Sequence, residues 1–341
     1  MLSAQPGLPP DRITVVIGLP HLSDTAILRR AKTLGLHALV SANAFSRWHM
    51  REGVREWRGW NTAPLANAAG LASLMLDSAG FTALATYRGY PWTIAAYLDL
   101  AEAYSFRLYA APDYCCEAEV AADREEVLDR MARTTGAFNE ARRQAGDRGI
   151  ADRLMPVLQG RTPDDYEWHA EQLSHVIRPG MTIGVGSMCR RPVGGSEGLV
   201  EVFERLDRIL PAGVLLHGFG VKGAMLSFVG HVAHRITSVD SQAYGVAARR
   251  DALARQVPKS DQLVSRHLAR WVADQEARLA ARQHRIAYPP RPPEPRPSQP
   301  WAAALARARA KIRALLADGK LDHDALTAPW VEQWAADLLA G

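Results

Sequence analysis

A chain of 341 residues, 48% apolar and 23% charged, can build one large or two ordinary domains around a sizeable core, and this excludes a disordered or fibrous protein. Nowhere do about 18 apolar residues run uninterrupted, and the N-terminus lacks the basic and apolar regions of a signal peptide, so no membrane partner and a cytoplasmic location are expected. The net charge of +5 is uneven: residues 241–341 hold 16 Lys or Arg against 10 Asp or Glu and the rest hold 25 against 26, which suits a polyanion partner or a solvated Arg-rich helix in the C-terminal region.

In chain order, β-type runs recur with helical stretches between them. The runs are Ile13 to Gly18, Ala38 to Ser41, Leu74 to Leu76, Arg107 to Ala111, Leu154 to Leu158, Met181 to Val185, Gly213 to Leu216 and Arg235 to Val239. Between them Ser23 to Leu34, Pro91 to Tyr104, Arg124 to Ala145, Pro163 to Ile177 and Glu197 to Ile209 have apolar residues at helical spacing. Eight strand-then-helix units over about 240 residues predict an α/β protein with a TIM (β/α)8 barrel, with a doubly wound sheet as the alternative. The barrel is expected at 1–250, a helical region at 251–287, a Pro-rich polyproline-like linker at 288–300 and a basic helical tail at 301–341.

The residues that follow each strand would line one mouth of such a barrel. They include Asn43 after strand two, Asp77 and Ser78 after strand three, Asp113 after strand four, Gln159 after strand five, Gly184 to Ser187 after strand six, His217 to Gly220 after strand seven and Asp240 after strand eight. Asp77, between an apolar run and Ser78-Ala79-Gly80, reads either as a ligand-facing acid or as the cap of the next helix. An Asp, a Gln and glycine amides suit the hydrogen-bonding edge of a purine-like ring, and Phe81 can stack on its face. A further Asp is then free to attack carbon, and displacement at an anomeric centre with retention needs one carboxylate as nucleophile and another group as acid and base.

Five ordered motifs carry a family resemblance: Leu-Asp-Ser-Ala-Gly-Phe at 76–81, Pro-Val-Leu-Gln-Gly-Arg at 156–161, Ile-Gly-Val-Gly at 183–186, His-Gly-Phe-Gly at 217–220 and Ser-Val-Asp-Ser at 238–241. In order and spacing they resemble the tRNA-guanine transglycosylase superfamily. Pro-Asp-Tyr at 112–114, Gly-Ser-Met-Cys-Arg-Arg at 186–191 and Ser-Gln-Ala-Tyr-Gly at 241–245 are more similar to its DNA-acting DpdA-type branch, which inserts 7-deazaguanine bases into DNA. The resemblance implies Asp240 as nucleophile on C1′ and Asp77 as general acid and base. It implies Asp113, Gln159 and the Gly184 backbone as the base-holding groups, Phe81 as the stacking ring and Ser78 as a further hydrogen bond to the base. It implies DNA as substrate, tRNA as the alternative polymer, a free 7-deazaguanine (the 7-cyano form) as co-substrate and helper DNA-modification proteins as possible partners. A non-catalytic base- or DNA-binding subunit is a third reading.

The tRNA enzymes carry zinc on a Cys-x-Cys-x-x-Cys cluster and a later His, whereas here no Cys follows Cys189. His267 and His284 cannot replace a thiolate-rich set of four ligands, so the zinc subdomain is expected to be missing and no cofactor or metal is expected. Cys115-Cys116 is a weak metal signal, and Cys189 reads as a small buried residue. Arg190 and Arg191 at the mouth, and Arg249 in the basic C-terminal region, are candidate phosphate contacts or solvated side chains. Trp48, Trp57 and Trp60, interleaved with arginines after strand two, suit either base stacking or lid packing.

Overall fold

A computed structural model describes residues 13–52, 54–281, 299–317, 331 and 333–337. The elements run β1 (Thr14–Leu19), α1 (Ala26–Thr33), β2 (His37–Ser41), a hairpin of β3 (Ser46–Arg51) and β4 (Val54–Trp60), β5 (Ser73–Asp77), α2 (Gly80–Tyr87), α3 (Ile94–Glu102), β6 (Tyr109–Ala110) and α4 (Arg124–Asp147). They continue with β7 (Leu154–Met155), β8 (Val157–Leu158), α5 (Pro163–Gln172), β9 (Thr182–Val185), α6 (Leu199–Ile209), β10 (Leu215–Gly218), β11 (Ile236–Ser241), α7 (Ala243–Ala254), α8 (Asp261–Ala280) and α9 (Gln299–Ala317).

Apart from the hairpin, every strand joins one parallel sheet in the order β7-β6-β5-β2-β1-β11-β10-β9-β8. The two ends of that sheet are halves of a single stretch, 154–158, so the sheet curls until its last strand meets its first and forms a TIM-like barrel. Pro156 divides the stretch because it has no N–H to give a ladder. Its carbonyl still accepts from Gly184 N at 2.8 Å, and Met155 O accepts from Ala111 N at 2.9 Å, so the two halves hold the strands on either side. Each of the eight runs read from sequence has its strand, which leaves no room for a doubly wound sheet.

Period-two alternation explains where the polar residues go. Val16, Leu39, Met75, Met155 and Val157 form one cluster inside the barrel, with Phe219 packed against it. The alternate residues, such as Ile17, Val40, Leu76 and Leu158, belong to the larger core that packs the sheet against the helices. Two residues beyond an inward-facing position lies the next one. Leu39 is thus followed by Ser41, Met75 by Asp77 and Val157 by Gln159, and these end the strands as a polar layer at the carboxyl-terminal mouth.

The segment after β2 is the antiparallel hairpin, with Trp48 opposite Trp57 and Ser46 opposite Trp60. Trp57, Trp60 and Trp92 pack ring against ring at 4.8 to 6.1 Å, and Trp60 Nε1 donates to Ala96 O at 2.6 Å. Trp48 lies 4.6 Å from Tyr87 with Arg55 above it. The rings therefore seat the hairpin on the barrel, while Arg47, Arg51, Arg55 and Arg58 stay exposed.

The expected linker at 288–300 lies outside the described residues as far as 298, as do His284 and residues 318–330; α9 begins at Gln299. Its residues Ala304, Ala308 and Ile312 are buried. Ile312 and Val331 share a cluster with Ala85, Cys115 and Val120, against which Phe81 and Leu84 of α2 pack.

Candidate active site

The loops at the strand ends bring Ser41, Asp77, Asp113, Glu117, Gln159, Ser187 and Asp240 around one cavity of about 240 Å³, walled by Phe81 and Phe219. That size admits a bicyclic base and little more.

Asp77 ends β5, and its Oδ2 accepts from Ala79 N at 3.0 Å. The cap reading of Asp77 is thus satisfied by one oxygen only, and the residue that caps α2 is Ala79, in left-handed conformation with φ 70°. The turn serves Asp113. A side chain at Gly80 would place its Cβ 2.5 Å from Asp113 O and 2.7 Å from Asp113 Oδ1, so only glycine lets the turn approach. Asp113 Oδ1 accepts from Ser78 Oγ and Oδ2 accepts from Gln159 Nε2. Tyr90 Oη donates to Asp113 O and accepts from Asp113 N, each at 2.9 Å, which fixes the backbone behind the carboxyl.

Gln159 passes the chain on, its Oε1 accepting from Ser187 Oγ at 2.5 Å. Ser187 Oγ in turn accepts from Cys116 N at 2.7 Å and lies 3.2 Å from Glu117 Oε2. The backbone N–H of Gln159 donates to His169 Nδ1 at 2.9 Å, and burial holds that imidazole down at about 4, keeping it a neutral acceptor.

Asp240 stands across the cavity in β11, 7% exposed. Its Oδ1 accepts from Gly220 N at 2.9 Å, and His217 Nε2 lies 3.5 Å from the same oxygen. His217 is fully buried, its Nδ1 is 2.8 Å from Ser238 Oγ, and its ring meets Phe219 edge-on at 4.6 Å. It packs beneath the cavity as a support for Asp240.

Three of the acids hold their protons more tightly than a free carboxyl does. Burial pushes Asp77 up to about 6, with the Asp240 charge adding to the effect. Burial and then the Asp77 charge push Asp113 up to about 7, although its two hydrogen bonds oppose this. Burial also raises Glu117. A carboxyl raised to about 6, lining the same cavity as a second carboxyl that the Gly220 N–H holds in place, has the make-up that retaining glycosidases use for acid–base and nucleophile.

Of the residues read from sequence, Asp77, Ser78, Phe81, Asp113, Gln159 and Asp240 come together at this site. Gly184 does not line it: register partner of His217, it sits one inward layer deeper, its N–H given to Pro156 O. A Cβ there would fall 2.5 Å from the Phe219 ring, so its contribution is to make room for that ring; of the two glycines in 183–186, Gly186 is the one that lines the cavity. Arg191 donates to the carbonyls of Gly160, Arg161 and Glu197. Arg190 lies over the Phe81 ring at 5.2 Å, 4.0 Å from Glu119. Arg249 is on α7 and does not line the cavity. Cys189, expected buried, is exposed at the mouth. Sequence reasoning gave no role to Glu117, Ser187 or Phe219. Ser187 and Phe219 lie inside motifs already singled out, whereas Glu117 follows two cysteines in an irregular segment, where no periodicity marks an inward side chain.

A family model described as DpdA, DeoxyPurine in DNA protein A, matches residues 54–321, more than three quarters of the chain. No curated protein matches it.

Proposed function

Because the chain belongs to the DpdA family, the DNA-acting branch of the tRNA-guanine transglycosylase-like superfamily, we propose that it replaces guanine in DNA with a 7-deazaguanine through a covalent Asp240–deoxyribose intermediate. What supports the reading most is the division of labour among carboxyls in one base-sized cavity. Asp113 and Gln159 form one hydrogen-bonded pair, and Asp77, whose proton affinity is raised, lines the same cavity as Asp240.

The target base must leave the stack before C1′ can be reached. Guanine then lies between Phe81 and Phe219, with its N1–H and 2-amino protons on Asp113. Asp240 attacks C1′ from the face opposite N9. The C1′–N9 bond breaks, a C1′–O bond to Asp240 forms, and the proton held by Asp77 goes to the departing guanine. In the second half the incoming base gives its N9 proton to Asp77, N9 attacks C1′, and Asp240 leaves as carboxylate. Two inversions give net retention, and all atoms and charges return to the start. The Gly220 N–H and His217 hold Asp240 in position. The chain's own groups bind, orient and move the proton.

The test is a side-by-side exchange assay with radiolabelled guanine, using single-stranded DNA, duplex DNA and tRNA; single strands remove the need for a partner that opens the helix. Label entering DNA and not tRNA is the expected result. Label entering tRNA alone would move the substrate to tRNA, and label in neither would remove the transferase reading.

A further inference from the structure

The exchange chemistry uses three carboxyls of the cavity and leaves a fourth. Glu117 is 8% exposed and lines the cavity beside Cys115, Gln159, Gly186 and Ser187. It stands at the end of a hydrogen-bonded row: Ser78 on Asp113, Asp113 on Gln159, Gln159 on Ser187 at 2.5 Å, and Ser187 Oγ 3.2 Å from Glu117 Oε2.

The edge of a guanine-like base has an order of its own. The 2-amino and N1 protons come first, O6 next, then position 7. A base whose donors rest on Asp113 brings O6 to Gln159 and Ser187, and position 7 then faces Glu117. In guanine that position is a bare ring nitrogen. In a 7-deazaguanine it is a carbon that can carry a substituent.

We propose that Glu117 is the specificity residue for the group at position 7 of the incoming base, and that it selects a polar group able to hydrogen-bond a carboxyl. The inference rests on the base-exchange reading above and names the part of the substrate that reading leaves open. A buried carboxyl at a wall that met only apolar ligand would be left partly unpaired, which costs more than an apolar side chain there. Burial raises the Glu117 carboxyl, and its own backbone N–H and then the Arg190 charge oppose this. Protonated, it donates to a nitrile nitrogen; ionised, it accepts from an aminomethyl group. Sites built around such a bond discriminate strongly against analogues that lack it.

The experiment is calorimetric binding of three free bases, 7-deazaguanine, its 7-cyano and its 7-aminomethyl derivatives, to the full chain and to Glu117→Ala and Glu117→Gln. Binding needs no turnover. In the wild type at least one substituted base is expected to bind more tightly than unsubstituted 7-deazaguanine, and in Glu117→Ala that advantage is expected to fall at least tenfold. Glu117→Gln keeps the shape and loses the charge, so the 7-aminomethyl base is expected to lose ground to the 7-cyano base. Equal preference ratios in wild type and both variants would overturn the proposal. Labelled-guanine exchange measured in parallel separates this from failure of the base-exchange reading, because exchange with unaltered ratios sinks only the role of Glu117.

Discussion

Burial, and then the charge of a neighbouring carboxylate, raises the proton affinity of both Asp77 and Asp113, and both shifts have measurable consequences. Formation of the covalent adduct draws on the protonated form of Asp77, so its single-turnover rate is expected to fall as pH rises through about 6. A rate that rises through that range would remove Asp77 as the acid. Stability follows the same protons. Both carboxyls sit above their unfolded values, so the stabilisation they give is complete below about pH 4 and is lost as pH rises through about 6 and about 7. The Tm is therefore expected to fall between pH 5 and 8. Asp113→Asn cannot ionise and should flatten that fall, whereas parallel Tm curves would show that Asp113 contributes nothing to it. Gly80→Ala tests the turn from the other side: its Cβ meets the Asp113 carbonyl, and backbone cannot swing away. A loss of about 1–3 kcal/mol in denaturant unfolding is expected, with weaker base binding; an unchanged affinity would mean that the turn tolerates a side chain.

Among the elements, the strands were legible as short apolar runs, and three of them have a polar residue two positions past an inward one. Leu39 and Ser41, Met75 and Asp77, and Val157 and Gln159 repeat the same step, which is why strand ends read from sequence located most of the pocket. The same reasoning put Gly184 one layer too high, since a run of glycines does not say which residue is the last before the mouth. Two elements were not legible. The hairpin at 46–60 carries Trp at 48, 57 and 60 and Arg at 47, 51, 55 and 58, spacings that break the two-residue alternation by which a strand is read. The docking of α9 depends on Ile312 meeting α2 and Cys115, a contact between residues far apart in sequence that no local pattern encodes. That contact backs Phe81, so Ile312→Ala should cost α9 about 2–5 kcal/mol of docking. Faster hydrogen exchange across 299–317 and weaker base binding are expected, and unchanged protection of α9 would refute the importance of Ile312.

At the scale of the whole molecule, exposed basic side chains lie on two elements that pack against α2. The exposed Arg307, Arg309 and Lys311 of α9 belong to the helix that packs on α2 beside Phe81, and the hairpin adds four exposed arginines after β2. Replacing the three α9 cations with Gln is expected to weaken DNA binding alike for all sequences and to flatten its salt dependence by about 0.9 for each phosphate no longer neutralised; an unaltered salt slope would take α9 off the DNA. Among the described residues no helix is long and apolar enough to cross a membrane. The central claim is that one carboxylate makes a bond to the sugar, and it is tested most directly by incubating the protein with DNA and no free base, denaturing, and mapping the modified peptide by mass spectrometry. A deoxyribose-linked DNA fragment on Asp240, absent in Asp240→Asn and Asp240→Ala and discharged by added guanine, is the result expected. Base exchange that persists in either variant, or an adduct on another residue, would contradict it.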